Sequence, residues 1–226
     1  MLTAIIVAGG NSQRMGFDKL FAPLDGKPVL AHAIAAFEQA ECVTNIIIVA
    51  RAERLSEYER MSETSGFRKI SAVIPGGARR QDSVWCGLEQ LNATTEFVAV
   101  HDAARPLVSP GLIERIYSLA RAHGGAASGA PVSDTLKRVD DARVVIGGVE
   151  RTNLFAVQTP QIFQRALLEK AYRAVFETGI EVTDEISAVE RGGGQVVLLP
   201  NEEPNLKITY PGDLALAEFV LRERAR

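Results

Sequence analysis

Short runs of consecutive apolar residues, each followed by a longer amphipathic stretch, dominate the first half of the chain. Leu2–Val7, Asn45–Ala50, Lys69–Ile74, Phe97–His101 and Gly125–Ala130 read as buried strands. Between them, Val29–Ala40, Glu53–Ser65, Gln81–Leu91 and Pro110–His123 carry helical periodicity. Strands that are apolar on both faces and alternate with helices predict a parallel sheet covered on both sides. Right-handed crossovers then bring the strand C-termini to one edge, where ligands bind in open α/β sheets.

The pattern changes after Ala130. Asp134–Val139 and Arg143–Ile146 alternate around Asp140-Asp141-Ala142, which predicts a β-hairpin projecting from the sheet. Helical patterns return at Gln164–Glu177 and Asp184–Arg191, short strands at Val196–Leu199 and Leu206–Thr209, and a last helix near Pro211. No linker, repeat or low-complexity tract interrupts the 226 residues, a length that readily buries a core. One domain over 1–226, with an arm at about 133–158, is the expectation.

Composition narrows function by exclusion. Apolar residues at 46% and charged residues at 23% match soluble globular proteins and exclude a disordered or fibrous chain. A formal charge of −3 argues against a nucleic-acid coat, so any polyanion site must be a local cluster of Arg and Lys. Cys42 and Cys86 have no CxxC spacing, which fits a reducing compartment and argues against a zinc site or a disulfide scaffold. No stretch approaches the ~20 apolar residues that span a bilayer. The N-terminus enters an apolar run without a charged signal region. A cytoplasmic protein without nucleic-acid or membrane partners is expected.

The candidate chemistry lies in the loops after the strands. Ala8-Gly9-Gly10-Asn11-Ser12-Gln13-Arg14-Met15-Gly16-Phe17-Asp18-Lys19 follows the first. Paired glycines let backbone approach a ligand, a run of free N–H groups makes an anion nest, and Arg14 and Lys19 add positive charge. A nucleoside triphosphate suits such a loop; an ordinary turn with two solvated cations is the alternative. Neither GxxxxGK[ST] nor GxGxxG occurs here, and the second strand ends Ala50-Arg51 rather than in an acid, so P-loop and dinucleotide schemes both fail.

Pro75-Gly76-Gly77-Ala78-Arg79-Arg80-Gln81-Asp82-Ser83 opens a helix, where Gly77 and Ser83 suit contact with a base or ribose, or Ser83 and Asp82 simply cap it. His101-Asp102-Ala103-Ala104-Arg105-Pro106 puts Asp102 at a strand end beside the phosphate loop, as a Mg²⁺ ligand or a turn cap. His101 is structural or catalytic. In Asn205-Leu206-Lys207-Ile208-Thr209, strand alternation places Lys207 and Thr209 on one face, toward solvent or toward a developing negative charge.

As an ordered set these motifs resemble the 2-C-methyl-D-erythritol 4-phosphate cytidylyltransferases of the non-mevalonate isoprenoid pathway. The resemblance covers nearly the whole chain. It runs through AGGxSxRM at Ala8–Met15, Lys19, GGxxRxxSV at Gly76–Val84, HDAARP at His101–Pro106 and SDTLKR at Ser133–Arg138. Arg151, TPQxF at Thr159–Phe163, TDE at Thr183–Glu185 and NLKIT at Asn205–Thr209 complete it. It implies a Rossmann-like, mainly parallel sheet of the nucleotide-diphospho-sugar transferase type, with helices on both faces and a protruding β-hairpin arm. It implies transfer of CMP from CTP to methylerythritol phosphate, with Mg²⁺ as cofactor and a homodimer formed through the arm.

Carried over by residue, it implies that Ala8, Gly9, Gly10, Arg14 and Lys19 hold the CTP phosphates. Gly77 and Ser83 would meet the cytosine side, Asp102 the metal, and Lys207 the α-phosphate. Asp102, Arg105, Thr159 and Lys207 would line the acceptor pocket, while Thr135 and Arg151 would reach a neighbouring subunit's acceptor. The family more often has AAG and Pro-Lys where this chain has Ala8-Gly9-Gly10 and Asp18-Lys19, and in these details the loop of this chain resembles a molybdenum-cofactor guanylyltransferase, a more distant rival that HDAARP and SDTLKR count against. A cytidylyltransferase for another polyol phosphate, such as ribitol 5-phosphate, and a non-catalytic nucleotide-binding protein are the rival readings.

Overall fold

In the computed structural model, which describes residues 1–10, 15–224 and 226, strand alternation divides the core in two. Strand β1 (Leu2–Ala8) sends Leu2, Ala4, Ile6 and Ala8 to one face of the main sheet and Ile5 to the other. After the short ribbon β2 (Pro23–Leu24) and β3 (Lys27–Pro28), β4 (Val43–Ala50) does the same with Ile46 and Ile48 against Ile47 and Val49. Because both faces are covered, apolar residues run consecutively at 4–8 in β1 and 46–50 in β4 rather than at alternate positions.

Helices α1 (Val29–Gln39), α2 (Leu55–Ser65), α4 (Pro110–His123) and α7 (Pro211–Arg224) place buried residues on the first face. On the second face lie α3 (Arg80–Glu89), α5 (Arg165–Thr178) and α6 (Glu185–Arg191). Capping fixes α4 closely: Ser109 Oγ accepts from the Leu112 N–H at 3.2 Å, Pro110 occupies the first turn, and Gly124 ends the helix at φ 84°.

The remaining strands are β5 (Ile70–Pro75), β6 (Phe97–Asp102), β7 (Gly125–Pro131), β8 (Leu136–Val139), β9 (Val145–Val149), β10 (Phe155–Gln164) and β11 (Val197–Pro200). The described residues form a seven-stranded sheet in the order β11-β7-β10-β6-β1-β4-β5. All pairings in it are parallel except those of β10, which runs antiparallel between β6 and β7. β8 and β9 form a separate hairpin whose turn is closed by Asp140, its Oδ1 accepting from the Val144 N–H at 2.8 Å.

Two sequence expectations need correcting. Phe155–Gln164 was not anticipated as a strand, yet it fills the gap between β6 and β7. It also starts at Phe155, so the last residues assigned to the arm already belong to the main sheet. Conversely, Leu206–Thr209 is not a strand. The Ile208 N–H meets the Ala104 carbonyl at 2.8 Å, and Ile208 is buried, but no ladder follows. Among the described residues, no helix is long and apolar enough to cross a membrane.

Candidate active site

The registers of the parallel strands end together. Ala8 faces Ala50, Ala50 faces Pro75, and Val7 faces Asp102, so the loops after β1, β4, β5 and β6 share one edge. β1 lies between β4 and β6, which is the switch point where open α/β sheets take ligands. A cavity of about 930 Å³ opens there. Ala8, Gly9, Gly10, Lys19, Gly77, Ser83, Asp102 and Lys207 all line it, although they come from distant parts of the sequence.

Glycines at Gly76 and Gly77 are needed for close approach. A Cβ at Gly76 would lie 2.6 Å from Ser83 Oγ, and one at Gly77 would lie 2.4 Å from the Asp82 Cβ. The loop therefore folds directly onto the first turn of α3. There the Arg79 N–H donates to the Asp82 carboxylate at 3.0 Å, and Ser83 Oγ turns inward toward the Arg79 carbonyl at 3.2 Å.

Asp102 is the electrostatic centre. Its Oδ1 accepts from Arg80 Nε at 3.1 Å, its Oδ2 accepts from Lys207 Nζ at 2.8 Å, and Arg105 Nε lies 3.8 Å from Oδ2. Burial by itself would raise the Asp102 carboxyl pKa. The charges of Arg80, Lys207 and Arg105 outweigh it and hold the group well below the usual carboxylate range. Arg80 in turn makes a bidentate pair with Glu185, at 2.7 and 3.1 Å, and Tyr172 donates its hydroxyl to Glu185 at 2.9 Å.

Behind this cluster a hydrogen-bond chain fixes the strand end. Thr159 Oγ1 accepts from the Asp102 N–H at 3.0 Å and reaches His101 Nδ1 at 3.1 Å, while His101 Nε2 lies 3.2 Å from the Arg105 carbonyl. The carbonyl can only accept, so Nε2 carries the proton and Thr159 donates to Nδ1. Burial pushes the His101 pKa down to about 4, against the opposing pull of Asp102. His101 is therefore neutral and occupied on both nitrogens, which favours the structural reading of this residue. Arg105 donates to the Asn205 carbonyl at 2.8 Å, and Asn205 donates to that of Thr159 at 2.9 Å.

Asp18 is held by Arg51 and Arg54, and its Oδ1 accepts from the Leu20 N–H at 3.0 Å. The next residue, Lys19, donates to the Ile208 carbonyl at 2.6 Å across 189 residues of sequence. Lys19 and Lys207 thus flank the same end of the cavity.

The other expected residues sit elsewhere. Arg14 lies outside the described residues. Thr159 and Arg105 are mostly buried behind Asp102 rather than on the cavity wall. Thr135 and Arg151 are exposed on the arm, where Arg151 hydrogen bonds to the Ser133 carbonyl. Arg80 and Glu185, which stand within GGxxRxxSV and TDE, are not among the residues expected at the site; they join it through a contact across 105 residues that no local pattern announces.

Among the described residues, no three His, Cys, Asp or Glu side chains converge as a ready-made metal cage. Mg²⁺ does not require one, because it usually takes one or two carboxylates and completes its shell with phosphate oxygens and water. Asp102 is ionised and faces the cavity beside the half-exposed Lys207, so the donor set fits one such ion.

The profile of the 2-C-methyl-D-erythritol 4-phosphate cytidylyltransferases matches residues 2–223. The enzyme of that name from Desulforamulus reducens is 41% identical over 226 residues, covering 99% of this chain and 97% of its own length. That from Caldanaerobacter subterraneus subsp. tengcongensis is 39% identical, with 98% and 99% covered. The solved structure of 4-diphosphocytidyl-2C-methyl-D-erythritol synthase from Anaerococcus prevotii superposes with a TM-score of 0.86 at 26% identity, covering 98% of each chain.

Proposed function

The chain belongs to the 2-C-methyl-D-erythritol 4-phosphate cytidylyltransferase family, and we propose that it transfers CMP from CTP to 2-C-methyl-D-erythritol 4-phosphate, releasing pyrophosphate. The observation that carries this reading is the meeting of Lys19, Lys207 and Asp102 at one end of a glycine-walled cavity.

The acceptor phosphate is ionised near neutral pH, so its oxygen needs no general base. This agrees with a His101 that is buried, neutral and doubly hydrogen bonded. An acceptor oxygen lone pair forms the bond to the α-phosphorus of CTP. The bond to the α–β bridging oxygen breaks, and its electrons leave with pyrophosphate.

Catalysis then consists of positioning and charge stabilisation. The backbone of Ala8, Gly9 and Gly10, with Arg14 and Lys19, holds the triphosphate. Gly77 and Ser83 meet the cytosine side, and Lys207 faces the α-phosphate. Asp102 would hold Mg²⁺, which when bound neutralises phosphate charge. Arg105 and Thr159 support Asp102 from beneath the acceptor pocket.

The active form is a homodimer joined through the arms, placed in the cytoplasm. Support for the dimer comes from the arm's own surface, where Val139, Val144, Val145 and Ile146 are 50–64% exposed and await a cover. Thr135 and Arg151 would then reach the neighbour's acceptor. Phosphorus NMR of the protein with CTP, methylerythritol phosphate and Mg²⁺ should show a coupled diphosphate pair growing with pyrophosphate. CTP that stays intact under these conditions rules the activity out.

A further inference from the structure

Arg80 and Glu185 have no part in the reaction as described above, yet together they are built into its centre. Arg80 is the first residue of α3, and Glu185 is the first residue of α6, 105 residues later. Glu185 is fully buried. Its Oε1 takes Arg80 Nη1 at 2.7 Å and the Tyr172 hydroxyl at 2.9 Å, and its Oε2 takes Arg80 Nη2 at 3.1 Å.

That pair consumes both Nη groups of the guanidinium and fixes its plane, leaving Nε to hold Asp102 Oδ1. Asp102 Oδ2 is then turned to Lys207, whose side chain is 42% exposed. The two cations on Asp102 thus differ in kind. Arg80 is locked between two carboxylates, whereas Lys207 is free to exchange Asp102 for another anion at the cavity.

We propose that Arg80, clamped by Glu185 and Tyr172, is a positioning residue that fixes the Asp102 carboxylate and keeps it neutralised while Lys207 moves from Asp102 to the phosphate undergoing substitution. This deepens the cytidylyl-transfer reading and rests on it. A Lys at position 80 keeps the charge but cannot pair with both carboxylates in one plane. Misplacement of a catalytic group by about an ångström costs roughly a hundredfold in rate. Glu185 acts through Arg80, so the two losses should not add.

The test compares R80K, R80Q, E185Q and the double variant R80Q/E185Q with wild type. The readouts are thermal unfolding, CTP affinity by calorimetry, and kcat with CTP and methylerythritol phosphate. The emission of Trp85, the single tryptophan, which stacks on Tyr172 at 6.5 Å, reports the clamp itself. R80K should lose kcat by roughly a hundredfold with CTP affinity changed by no more than about threefold. The double variant should be no slower than R80Q, and Trp85 emission should shift in E185Q.

Full kcat in R80K, or losses in R80Q and E185Q that multiply in the double variant, would overturn the proposal. So would a fall in CTP affinity that matches the fall in kcat. An inactive wild type would overturn the transfer reading instead. The clamp then stands or falls on a directly observed Arg80 Nε–H proton resonance, which should exchange slowly in wild type and rapidly in E185Q. Rapid exchange in wild type refutes it.

Discussion

Replacing Asp102 with asparagine keeps the size of the side chain and removes its charge, so its effect isolates the electrostatic role. Arg80, Arg105 and Lys207 surround two carboxylates, Asp102 and Glu185. In Asp102→Asn, three cations would face one anion. Removing one partner of a buried pair costs about 3–5 kcal/mol when the remaining charge has nowhere to go. Here Arg80 retains Glu185 and half-exposed Lys207 can return to water. Arg105, 13% exposed and with a buried Nε lacking a hydrogen-bond partner, keeps the Asn205 carbonyl. The net cost should therefore fall to about 2–3 kcal/mol, at or just below the lower limit of that range. For a domain of this size that corresponds to a melting temperature lower by about 4–12 °C. Circular dichroism melts at neutral pH, repeated at high salt, measure it, and the difference should survive salt because the cluster is buried. A variant that melts at or above the wild-type temperature would refute the view that Asp102 anchors the cluster.

Lys19→Ala and Lys207→Ala should each lower kcat by about a hundredfold, the loss of about 3 kcal/mol of charge stabilisation, with little change in folding; steady-state kinetics beside a melt separates the two. Gly77→Ala would push a Cβ to within 2.4 Å of the Asp82 Cβ, so the loop must shift, and calorimetry should find weaker CTP binding. His101 links stability to pH. Its folded pKa of about 4 lies below the ordinary 6.5, so the contribution is complete above 6.5 and is lost as pH falls from 6.5 toward 4. Denaturation midpoints across that window should slope less in His101→Gln than in wild type. Mixing Arg151→Ala with Lys19→Ala protein should restore activity in mixed dimers if sites are shared, and heterodimers that remain inactive would return Arg151 to its own subunit.

The strands with continuous apolar faces were legible because burial on both sides writes itself into consecutive residues. β1, β4 and β6 differ from the sequence reading by two residues or fewer at each end. β10 escaped because its middle is Gln158-Thr159-Pro160-Gln161, a polar break that looks like a loop. Those side chains are satisfied by partners far away in sequence. Gln158 accepts from Asn201 and Asn205, and Gln161 donates to Asp184. Leu206–Thr209 showed the opposite failure, since alternation correctly buried Ile208 without any neighbouring strand to pair with. The glycine loops announced the cavity through backbone requirements that are local. The Arg80–Glu185 pair could not be read the same way, because its meaning lies in a contact across 105 residues.

We propose that the two lysines and Asp102 of the cavity serve cytidylyl transfer to a methylerythritol phosphate acceptor. Pyrophosphate release with Mg²⁺, crossing CTP, GTP, ATP and UTP with methylerythritol phosphate, ribitol 5-phosphate and a hexose 1-phosphate, tests it most directly. The kcat/KM ratio should be highest for CTP with methylerythritol phosphate, and Lys207→Ala should remove most of it. Preference for GTP, or equal turnover with every acceptor, would contradict it.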